Sequence, residues 1–316
     1  MRNRRVTVLG ASGFIGRAIV KRLAAEGAVI AAVARHAHEA TFLKPMGDVG
    51  QIALIDADIR DDGALDAVVA GAEIVVNAIG ILFERGAQNF AALHARLPVR
   101  LAVTAQKAGV KQILHVSALG ADLQSPSNYA RTKAEGEAEL RAAFPDAIVL
   151  RPALVFGPED DFFNRFGTYA RFLPALPLIG GGATRFQPVY VGDVADAAVA
   201  ALQRPDAAGR VFELAGPEIY SFRELMELLL RETERRRLLV SIPFGLASFE
   251  AWFLEFLPKP PLTRDQVRLL RHDNLPSPGQ PGLAALGLTP TALELILPTY
   301  LDRFRRRGRA WRARTA

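Results

Sequence analysis

The chain of 316 residues has no cysteine, which excludes disulfides, thiolate metal sites and a cysteine nucleophile. Histidine is scarce as well, and of the five histidines only His36 and His38 lie close together. Such a pair is weak as a metal motif, and a surface loop explains it more simply. We therefore expect no metal ion in this protein.

Long apolar segments are also missing. No run reaches the roughly 20 residues that a membrane-spanning helix needs, and no apolar signal segment separates Met1 from the first predicted strand. We expect a cytoplasmic chain without a transmembrane helix. Because 50% of its residues are hydrophobic, the chain can bury a core large enough for one large domain and a smaller one.

Acidic residues are absent from the last fourteen positions. These positions hold seven arginines: Arg303, Arg305, Arg306, Arg307, Arg309, Arg312 and Arg314. Subtracting their seven charges from the formal net charge of +6 leaves −1 for the rest of the chain. The basic character therefore belongs to a tail and not to a folded face, which argues against nucleic acid as a partner.

Residues 6–16 are the segment around which the rest of the chain is organised. A short apolar run without helical period ends at Gly10, and an apolar stripe with a period of 3.6 begins at Phe14. Gly10 allows a tight turn, Gly13 lets backbone N–H groups approach a pyrophosphate, and Gly16 lets the helix pack closely on its strand. The positive end of the helix dipole then faces the phosphates. The pattern predicts a dinucleotide-binding unit, and its glycine spacing resembles that of the short-chain dehydrogenase/reductase superfamily.

Further strands and helices alternate along the first half of the chain. Strands are predicted at residues 29–33, 51–56, 73–77, 111–116 and 147–150. This alternation indicates an α/β fold of Rossmann type, a doubly wound parallel sheet, followed by a smaller C-terminal α+β domain. A helical pattern over residues 90–108 contains Pro98, so we expect a kink or two helices there.

The expected cofactor contacts lie in the glycine turn, after the strands and on one later helix. They are Gly10, Ala11, Ser12, Gly13, Phe14, Ile15, Gly16, Arg35, Asp58, Ile59, Asn77, Ala78, Ile79, Gly80, Tyr129, Lys133, Pro152, Leu154 and Val155. The last three resemble the segment of extended short-chain dehydrogenases that passes over the nicotinamide. Asp58 has two open roles, because in the superfamily an Asp here commonly faces the adenine, whereas Asp58 or Asp61 could equally cap the next helix.

Arg35 ends the second predicted strand. Relatives that bind NAD carry an acidic residue near this point that accepts a hydrogen bond from the ribose 2′-hydroxyl, but in this chain Arg35 is followed by no carboxylate until Glu39. An arginine suits a 2′-phosphate instead. We predict NADP(H) as the cofactor, with a solvated arginine at a strand end as the alternative.

Tyr129 and Lys133 lie four residues apart on a predicted helix and therefore share one face. We expect the ammonium group of Lys133 to lower the phenol pKa from its free value of about 10 and to hold the nicotinamide ribose. Ser117, at the end of the fifth strand, is the candidate for a hydrogen bond to a substrate oxygen. These three residues are the expected catalytic set, although a Tyr–Lys pair can also be retained only to hold the ribose.

The serine of this set departs from the usual pattern. Many extended members carry it one position later, where this chain has Ala118. Ser125 and Ser127 are the substitutes that we consider for Ser117.

Several segments resemble the nucleotide-binding accessory (alpha-subcomplex) subunit family of respiratory complex I, an atypical branch of the extended short-chain dehydrogenases. They are residues 43–51, 115–117, 129–137, 143–148, 156–160, 187–194, 262–267 and 282–288, which together span nearly the whole chain. The resemblance implies a tightly held NADPH without known turnover and docking on the peripheral arm of complex I. The lack of a long mitochondrial presequence and the Ala/Arg-rich composition lead us to expect a bacterial homologue at the inner membrane; a mitochondrial one would lie on the matrix side.

Two functions follow from these patterns. The first is an NADP(H)-binding accessory subunit or assembly factor of NADH:ubiquinone oxidoreductase. The alternative is a soluble NADP-dependent oxidoreductase or isomerase that acts on a quinone-precursor, isoprenoid or sterol-like substrate through Tyr129 and Lys133. Whether the chain turns over any substrate stays open.

The second domain is expected at residues 158–316, after a nucleotide domain at 1–157 whose sheet is completed by parts of 185–215. Residues 244–257 hold five aromatic side chains in a short window. Core packing of a small domain is the favoured interpretation, and a surface for a partner or a membrane is the alternative. The second interpretation would let residues 244–257 and the basic residues 303–314 act together at a membrane surface.

Overall fold

A computed structural model describes residues 1–305 and divides the chain into two compact units. The first unit comprises Met1–Pro152, Val191–Leu214 and Ser277–Leu288, and the second comprises Ala153–Tyr190, Ala215–Pro276 and the chain from Thr289 onwards. The first unit ends at Pro152 and not at residue 157, and the chain returns to it twice; the first return, Val191–Leu214, lies within residues 185–215, of which parts were expected to complete the sheet.

Strands and helices alternate through the first unit, and shorter elements fill the second. The strands are β1 Arg5–Leu9, β2 Val29–Ala34, β3 Ile52–Asp56, β4 Ile74–Asn77, β5 Gln112–Val116, β6 Ile148–Pro152, β7 Val155–Phe156, β8 Ala175–Ile179, β9 Arg185–Phe186, β10 Val189–Tyr190, β11 Val211–Leu214, β12 Tyr220–Ser221 and β13 Leu238–Ile242. The α-helices are α1 Phe14–Ala25, α2 Asp62–Val69, α3 Leu97–Lys107, α4 Asn128–Ala143, α5 Phe162–Phe172, α6 Val191–Gln203, α7 Phe222–Glu232, α8 Phe244–Leu254, α9 Arg264–Leu269 and α10 Leu293–Leu301.

One parallel sheet organises the first unit, with the strand order β11-β6-β5-β4-β1-β2-β3. Its strands are apolar on both faces because helices cover both sides, as in other doubly wound folds. The order reverses direction at β1, where Leu9 pairs with Val33 of β2 on one side and with Asn77 of β4 on the other. This switch point opens a crevice at the carboxyl ends of the strands, the usual ligand position in such sheets. The predicted fold class is confirmed.

Pro98 divides the helical pattern of residues 90–108 into two segments, one of the two expected outcomes. Ala91–Arg96 forms a π-helix, and α3 follows with Pro98 in its first turn, where the missing N–H costs nothing. π-helical turns are rare and often mark functional sites. The π-helix packs so tightly against α4 that a Cβ on Gly136 would lie 1.8 Å from the carbonyl oxygen of His94.

The second unit has its own aromatic core. Phe156, Phe163 and Phe222 are fully or almost fully buried there, together with leucines of α7 and α10. The last described residues belong to this unit: Tyr300 donates a 2.5 Å hydrogen bond to the buried carboxylate of Asp160. The end of the described chain is therefore fixed to the second unit.

Four of the five aromatic residues of 244–257 are not core residues, so the favoured interpretation of this window is wrong for all of them but Phe244. Phe249, Trp252, Phe253 and Phe256 are 44–77% exposed, and Leu246 and Leu257 are exposed beside them. The buried side of α8 consists of Ala247 and Ala251, which pack with Ile179 and Val267. Ala247 and Ala251 are thus the fully buried residues of this helix, Phe244 packs partly buried beside them, and the other aromatic side chains face outward. We call these six exposed residues the α8 apolar surface.

The close packing of α4 on the π-helix predicts the effect of one methyl group. Gly136→Ala places a Cβ inside the contact distance of the His94 carbonyl, so we expect a loss of stability of at least about 3 kcal/mol. Gly245→Ala is the matched control, because a Cβ there meets nothing within 4 Å and α8 gains helix propensity. Urea unfolding followed by circular dichroism measures both. Equal midpoints for the two variants would contradict the packing argument.

Candidate nucleotide site in the first unit

The glycine turn joins β1 to α1 at the switch point of the sheet. Gly10 has φ +75°, a conformation that side chains disfavour, and Gly16 has no space for a side chain, since a Cβ there would lie 2.1 Å from the Gly10 carbonyl oxygen. Gly13 differs from both. Its backbone is extended (φ −69°, ψ 170°), and its Cβ would lie 3.2 Å from the same oxygen. The lack of a side chain at Gly13 therefore mainly preserves space in front of the turn.

The first turn of α1 presents backbone donors to that space. Gly13 occupies the N-cap position without a side-chain cap, and the N–H groups of Phe14, Ile15 and Gly16 have no acceptor inside the helix because of their position. Ser12 precedes them and its carbonyl accepts a 2.8 Å hydrogen bond from the Arg17 guanidinium. Such a helix start attracts phosphate groups.

Ala11 attaches the glycine turn to the sheet. Its N–H donates to the carbonyl of Val33 on β2, and the side chain of Ala11 is fully buried. The turn therefore leaves the sheet directly above the end of β2, where Arg35 follows.

Arg35 and the start of the segment after β3 form the next part of the site. Arg35 is exposed just past β2, and its charge contributes to a lowered pKa at Asp58. Arg60 is the larger cause: its Nε lies 2.8 Å from Asp58 Oδ1, and this hydrogen bond lowers the pKa of Asp58 to about 2. Asp61, not Asp58, caps α2, while Ile59 is buried. Of the two roles open to Asp58, the capping role is thus excluded.

The segment after β4 forms the opposite side of the crevice. Asn77 is fully buried, and its side-chain oxygen accepts a hydrogen bond from the N–H of Ile79. Its side-chain nitrogen Nδ2 lies 3.1 Å from His115 Nδ1. Ala78 donates its N–H to the carbonyl of Leu9. Gly80 comes closest to the helix that carries the predicted pair, because a Cβ on Gly80 would lie 3.6 Å from Lys133 Nζ.

Lys133 is buried at the ends of β4 and β5. Its Nζ donates to the carbonyl oxygen of Val116 at 3.1 Å and to that of Ile79 at 3.5 Å. Burial lowers the pKa of Lys133 to about 8, against an opposing contribution from Glu137. The ammonium group therefore stands at the switch point with backbone oxygens as its neighbours.

Tyr129 is not activated in the way the sequence suggests. Burial raises the pKa of its phenol to about 12, and Lys133 does not offset this. The prediction that Lys133 lowers the pKa of the Tyr129 phenol is therefore wrong, because the phenol is buried away from water. The pair shares one helix face, as predicted, but the phenol remains protonated at neutral pH.

Ser117 is the member of the predicted catalytic set whose side chain has no partner. Its hydroxyl is buried and makes no hydrogen bond within the described part of the chain. The two substitutes are both used locally: Ser127 caps α4 by accepting from the N–H of Ala130, and the Ser125 hydroxyl accepts from the N–H of Ser127. Position 117 therefore offers the available hydroxyl, despite Ala118.

His94 is a neighbour of Tyr129 that the sequence patterns did not single out. Its ring stacks on Phe90 at 5.2 Å and meets the Tyr129 ring edge-to-face at 5.3 Å. His94 Nε2 accepts the N–H of Ile81, which leaves the proton on Nδ1, a buried atom without a hydrogen-bond partner in the described chain. The one signal available in the sequence was Pro98, which lies in the first turn of α3, directly after the π-helix that carries His94.

The nicotinamide segment of the prediction spans two units. Pro152 ends β6, and its carbonyl accepts the N–H of Leu119. Leu154 and Val155 belong to the second unit, where the Leu154 N–H donates to the Asn274 side chain and Val155 begins β7. Each residue is therefore held by its own unit.

Residues 43–51, which carry much of the resemblance, fold back on α1. The Gln51 amide donates to the carbonyls of Ala24 and Ala28 at 2.7 and 2.9 Å, and its oxygen accepts the N–H of Asp48. Gly47 leaves room for this arrangement, since a Cβ there would lie 2.7 Å from the Gln51 side chain. The motif thus fixes the loop before β3.

Within residues 1–305, no three His, Asp or Glu side chains group as ligands of a metal ion. No helix in the same residues combines the length and apolar character that crossing a bilayer requires.

Comparison with known proteins places this geometry in a family. Residues 6–215 match the model of the NAD dependent epimerase/dehydratase family. NADH dehydrogenase [ubiquinone] 1 alpha subcomplex subunit 9, mitochondrial, of Mus musculus is 36% identical over 311 residues, covering 95% of this chain and 80% of its own length. The ceramide reductase of Caulobacter vibrioides is 32% identical over 201 residues, covering 63% of this chain and 61% of its own length.

A solved structure supports the same fold. The dTDP-glucose 4,6-dehydratase DesIV of Streptomyces venezuelae, with NAD bound, superposes with a TM-score of 0.73 and 21% identity, covering 97% of this chain and 98% of that one. It shows the fold, whereas the sequence relatives and the family match confirm the resemblance that the motifs indicated. The chain belongs to the NAD dependent epimerase/dehydratase family and, within it, to the family of the NADH dehydrogenase [ubiquinone] 1 alpha subcomplex subunit 9 proteins.

Proposed function

We propose that this chain binds NADP(H) at the glycine turn and serves as an accessory subunit, or as an assembly or stability factor, of NADH:ubiquinone oxidoreductase. The observation that carries the proposal is the match to the mouse alpha subcomplex subunit over 95% of this chain, which itself has the glycine turn. The nucleotide would act as a structural element that stabilises the first unit, since ligand binding to a folded state always stabilises that state.

The residues of the first unit fit a nicotinamide dinucleotide. The space before Gly13 and the N–H groups of Phe14 and Ile15 suit a pyrophosphate, and Lys133 is placed to donate to ribose hydroxyls. When bound, the nicotinamide can supply or accept a hydride. Asn77, Ala78 and Ile79 would exclude water from the ribose, because the first is buried and the other two are half-buried.

Arg35 supports NADP(H) over NAD(H). It is exposed where the adenosine ribose lies in such folds, and it makes no ion pair with Asp58, whose carboxylate Arg60 occupies. An exposed guanidinium in this place can form a charge-assisted pair with a 2′-phosphate.

A reductase or isomerase is the second candidate. The unpartnered Ser117 hydroxyl near the buried Lys133 favours it, because this is the arrangement that would bind a substrate oxygen. The ceramide reductase relative suggests a long amphiphilic substrate, in line with the quinone-precursor, isoprenoid or sterol-like class. The raised pKa of Tyr129 weighs against rapid proton transfer and favours the binding function.

Attachment at the inner membrane belongs to the same proposal, on the cytoplasmic side in a bacterium or the matrix side in a mitochondrion. The α8 apolar surface would supply burial that salt does not screen. Two of the seven tail arginines are used within the second unit: Arg303 donates to Asn164, and Arg305 pairs with Asp302 at 3.2 Å. The other five arginines lie outside the described residues and would supply the electrostatic part.

Replacing Arg35 tests the cofactor identity. We expect Arg35→Asp to weaken NADPH binding about tenfold or more and NADH binding less than threefold, because only NADPH presents a 2′-phosphate. Fluorescence titration of the two nucleotides gives both ratios, with Arg35→Lys as the charge-conserving control. Equal weakening of NADPH and NADH would remove Arg35 from the phosphate site.

Separate substitutions of Tyr129 and Lys133 distinguish binding from turnover. Tyr129→Phe should keep NADPH affinity within about twofold and abolish any carbonyl reduction, since it removes only the hydroxyl. Lys133→Ala should weaken NADPH at least about tenfold, because it removes a buried cation from the ribose site. Normal turnover by Tyr129→Phe would exclude this residue from the chemistry.

Membrane attachment is tested on the two parts separately. Truncation after Arg305 keeps the packed end of the second unit and removes the five remaining arginines, each worth about 1 kcal/mol near anionic lipid. It should abolish the salt-dependent part of co-sedimentation with vesicles containing anionic lipid.

The double variant Trp252→Ser/Phe256→Ser should reduce the salt-independent part of the co-sedimentation with vesicles. Phe172→Ser should not, because Phe172 is an exposed aromatic residue outside the α8 apolar surface. Retention that neither change reduces would refute the attachment. Co-purification of the full chain with complex I subunits tests the accessory role itself, and its complete absence in a host that makes complex I would favour the reductase.

A further inference from the structure

A row of three ionisable side chains follows one face of α4. Tyr129, Lys133 and Glu137 are spaced four residues apart, so their Cβ atoms lie about 5–6 Å from one another in succession. Lys133 and Glu137 are each only 3% exposed. The first two residues belong to the proposed nucleotide site, and Glu137 lies one helical turn beyond them.

Glu137 is held in place by a buried ion network. Arg151 of β6 contacts both of its carboxylate oxygens, through Nε at 2.9 Å and Nη2 at 2.7 Å. The same guanidinium donates through Nη1 to Glu213 of β11 at 3.2 Å. Glu213 in turn accepts the N–H of Ser277 at 2.6 Å. Two carboxylates thus share one guanidinium, and the network keeps one uncompensated negative charge.

The groups that face Lys133 from the other elements are uncharged at neutral pH. Burial lowers the pKa of His94, on the π-helix, to about 2 and that of His115, on β5, to about 3. Burial raises the pKa of Tyr129 to about 12. The direct partners of Lys133 Nζ are backbone carbonyls. Among the described residues, Glu137 is the group whose charge acts to keep Lys133 protonated.

We propose that Glu137 is a positioning residue of the nucleotide site: fixed by Arg151 and Glu213, it keeps Lys133 charged and directed at the ribose of the bound nucleotide. This inference rests on the proposed binding of NADP(H). Its physical reason is that a buried ammonium loses its proton unless a nearby negative charge compensates the desolvation. The carboxylate of Glu137 is one helical turn from Lys133, and the network to which it belongs, two carboxylates and one guanidinium, carries a formal net charge of −1.

The proposal has a definite consequence for pH dependence. The pKa of Lys133 is about 8 in the presence of Glu137, so the cation is present below that pH and is lost as the pH rises through it. NADPH is an anion, so its affinity should fall over the same range. Without the charge of Glu137 this fall should move to lower pH, because burial then acts on Lys133 without opposition.

The experiment is an NADPH fluorescence titration between pH 6 and pH 9.5 on the full chain and on matched variants. Glu137→Gln keeps the shape and removes the charge. Glu213→Gln removes an equally buried carboxylate from the same Arg151, but on the side away from Lys133. Both should lower the unfolding midpoint to a similar degree, because each breaks a buried ion pair.

We expect Glu137→Gln to move the midpoint of the affinity loss down by about one pH unit or more, and Glu213→Gln to move it by less than half as much. Lys133→Met should bind weakly at every pH and show no midpoint in this range. Equal displacements for the two Gln variants, or none, would overturn the role of Glu137 while leaving NADPH binding by the unaltered chain intact.

Glu137→Asp keeps the proposal testable if Glu137→Gln does not fold. It retains the charge, so its midpoint should stay near that of the unaltered chain even where its affinity is lower. A displacement of a full pH unit in Glu137→Asp would overturn the proposal. An unaltered chain that binds no NADPH at any pH would refute the proposed function itself.

Discussion

The first unit depends on one close contact, between the Cα of Gly16 and the carbonyl of Gly10. No side chain fits there, because a Cβ would lie 2.1 Å from the carbonyl oxygen. The contact brings α1 directly onto the end of β1, and so places the donors of its first turn at the point where the strand order reverses. The position of every other site residue follows from this sheet: Asn77 ends the neighbouring strand, and Ser117 follows β5.

A second constraint is the burial of Lys133 with few groups to balance its charge. The histidines beside it are neutral, and the phenol of Tyr129 keeps its proton. Such a site can hold a nucleotide through a cation and backbone donors, but its tyrosine is not prepared to exchange a proton at neutral pH. This balance is consistent with the accessory function that we propose, in which the nucleotide contributes stability and not turnover.

The sequence predicted the sheet well because apolar runs and glycines act locally. From Pro98 it predicted a kink or two helices, but not the π-helix, whose His94 carbonyl lies where Gly136 lets α4 approach closely. It misjudged α8, since an aromatic cluster has the same composition in a core and on a surface, and only the small residues Ala247 and Ala251 mark the buried side.

The pKa of Tyr129 could not be predicted, because desolvation depends on the packing of distant segments. The ion network of Glu137 could not be predicted either, because only the fold brings its members on α4, β6 and β11 together.

The identity of the nucleotide on the purified chain tests the central claim most directly. Denaturation should release NADP(H) in close to one equivalent, identified by chromatography with mass spectrometry. Gly13→Val is the decisive comparison, because its extended backbone accepts any residue and a side chain there would fill the space for the pyrophosphate. The account predicts a folded variant without nucleotide. Nucleotide retained by folded Gly13→Val would show that the site lies elsewhere and would contradict the account.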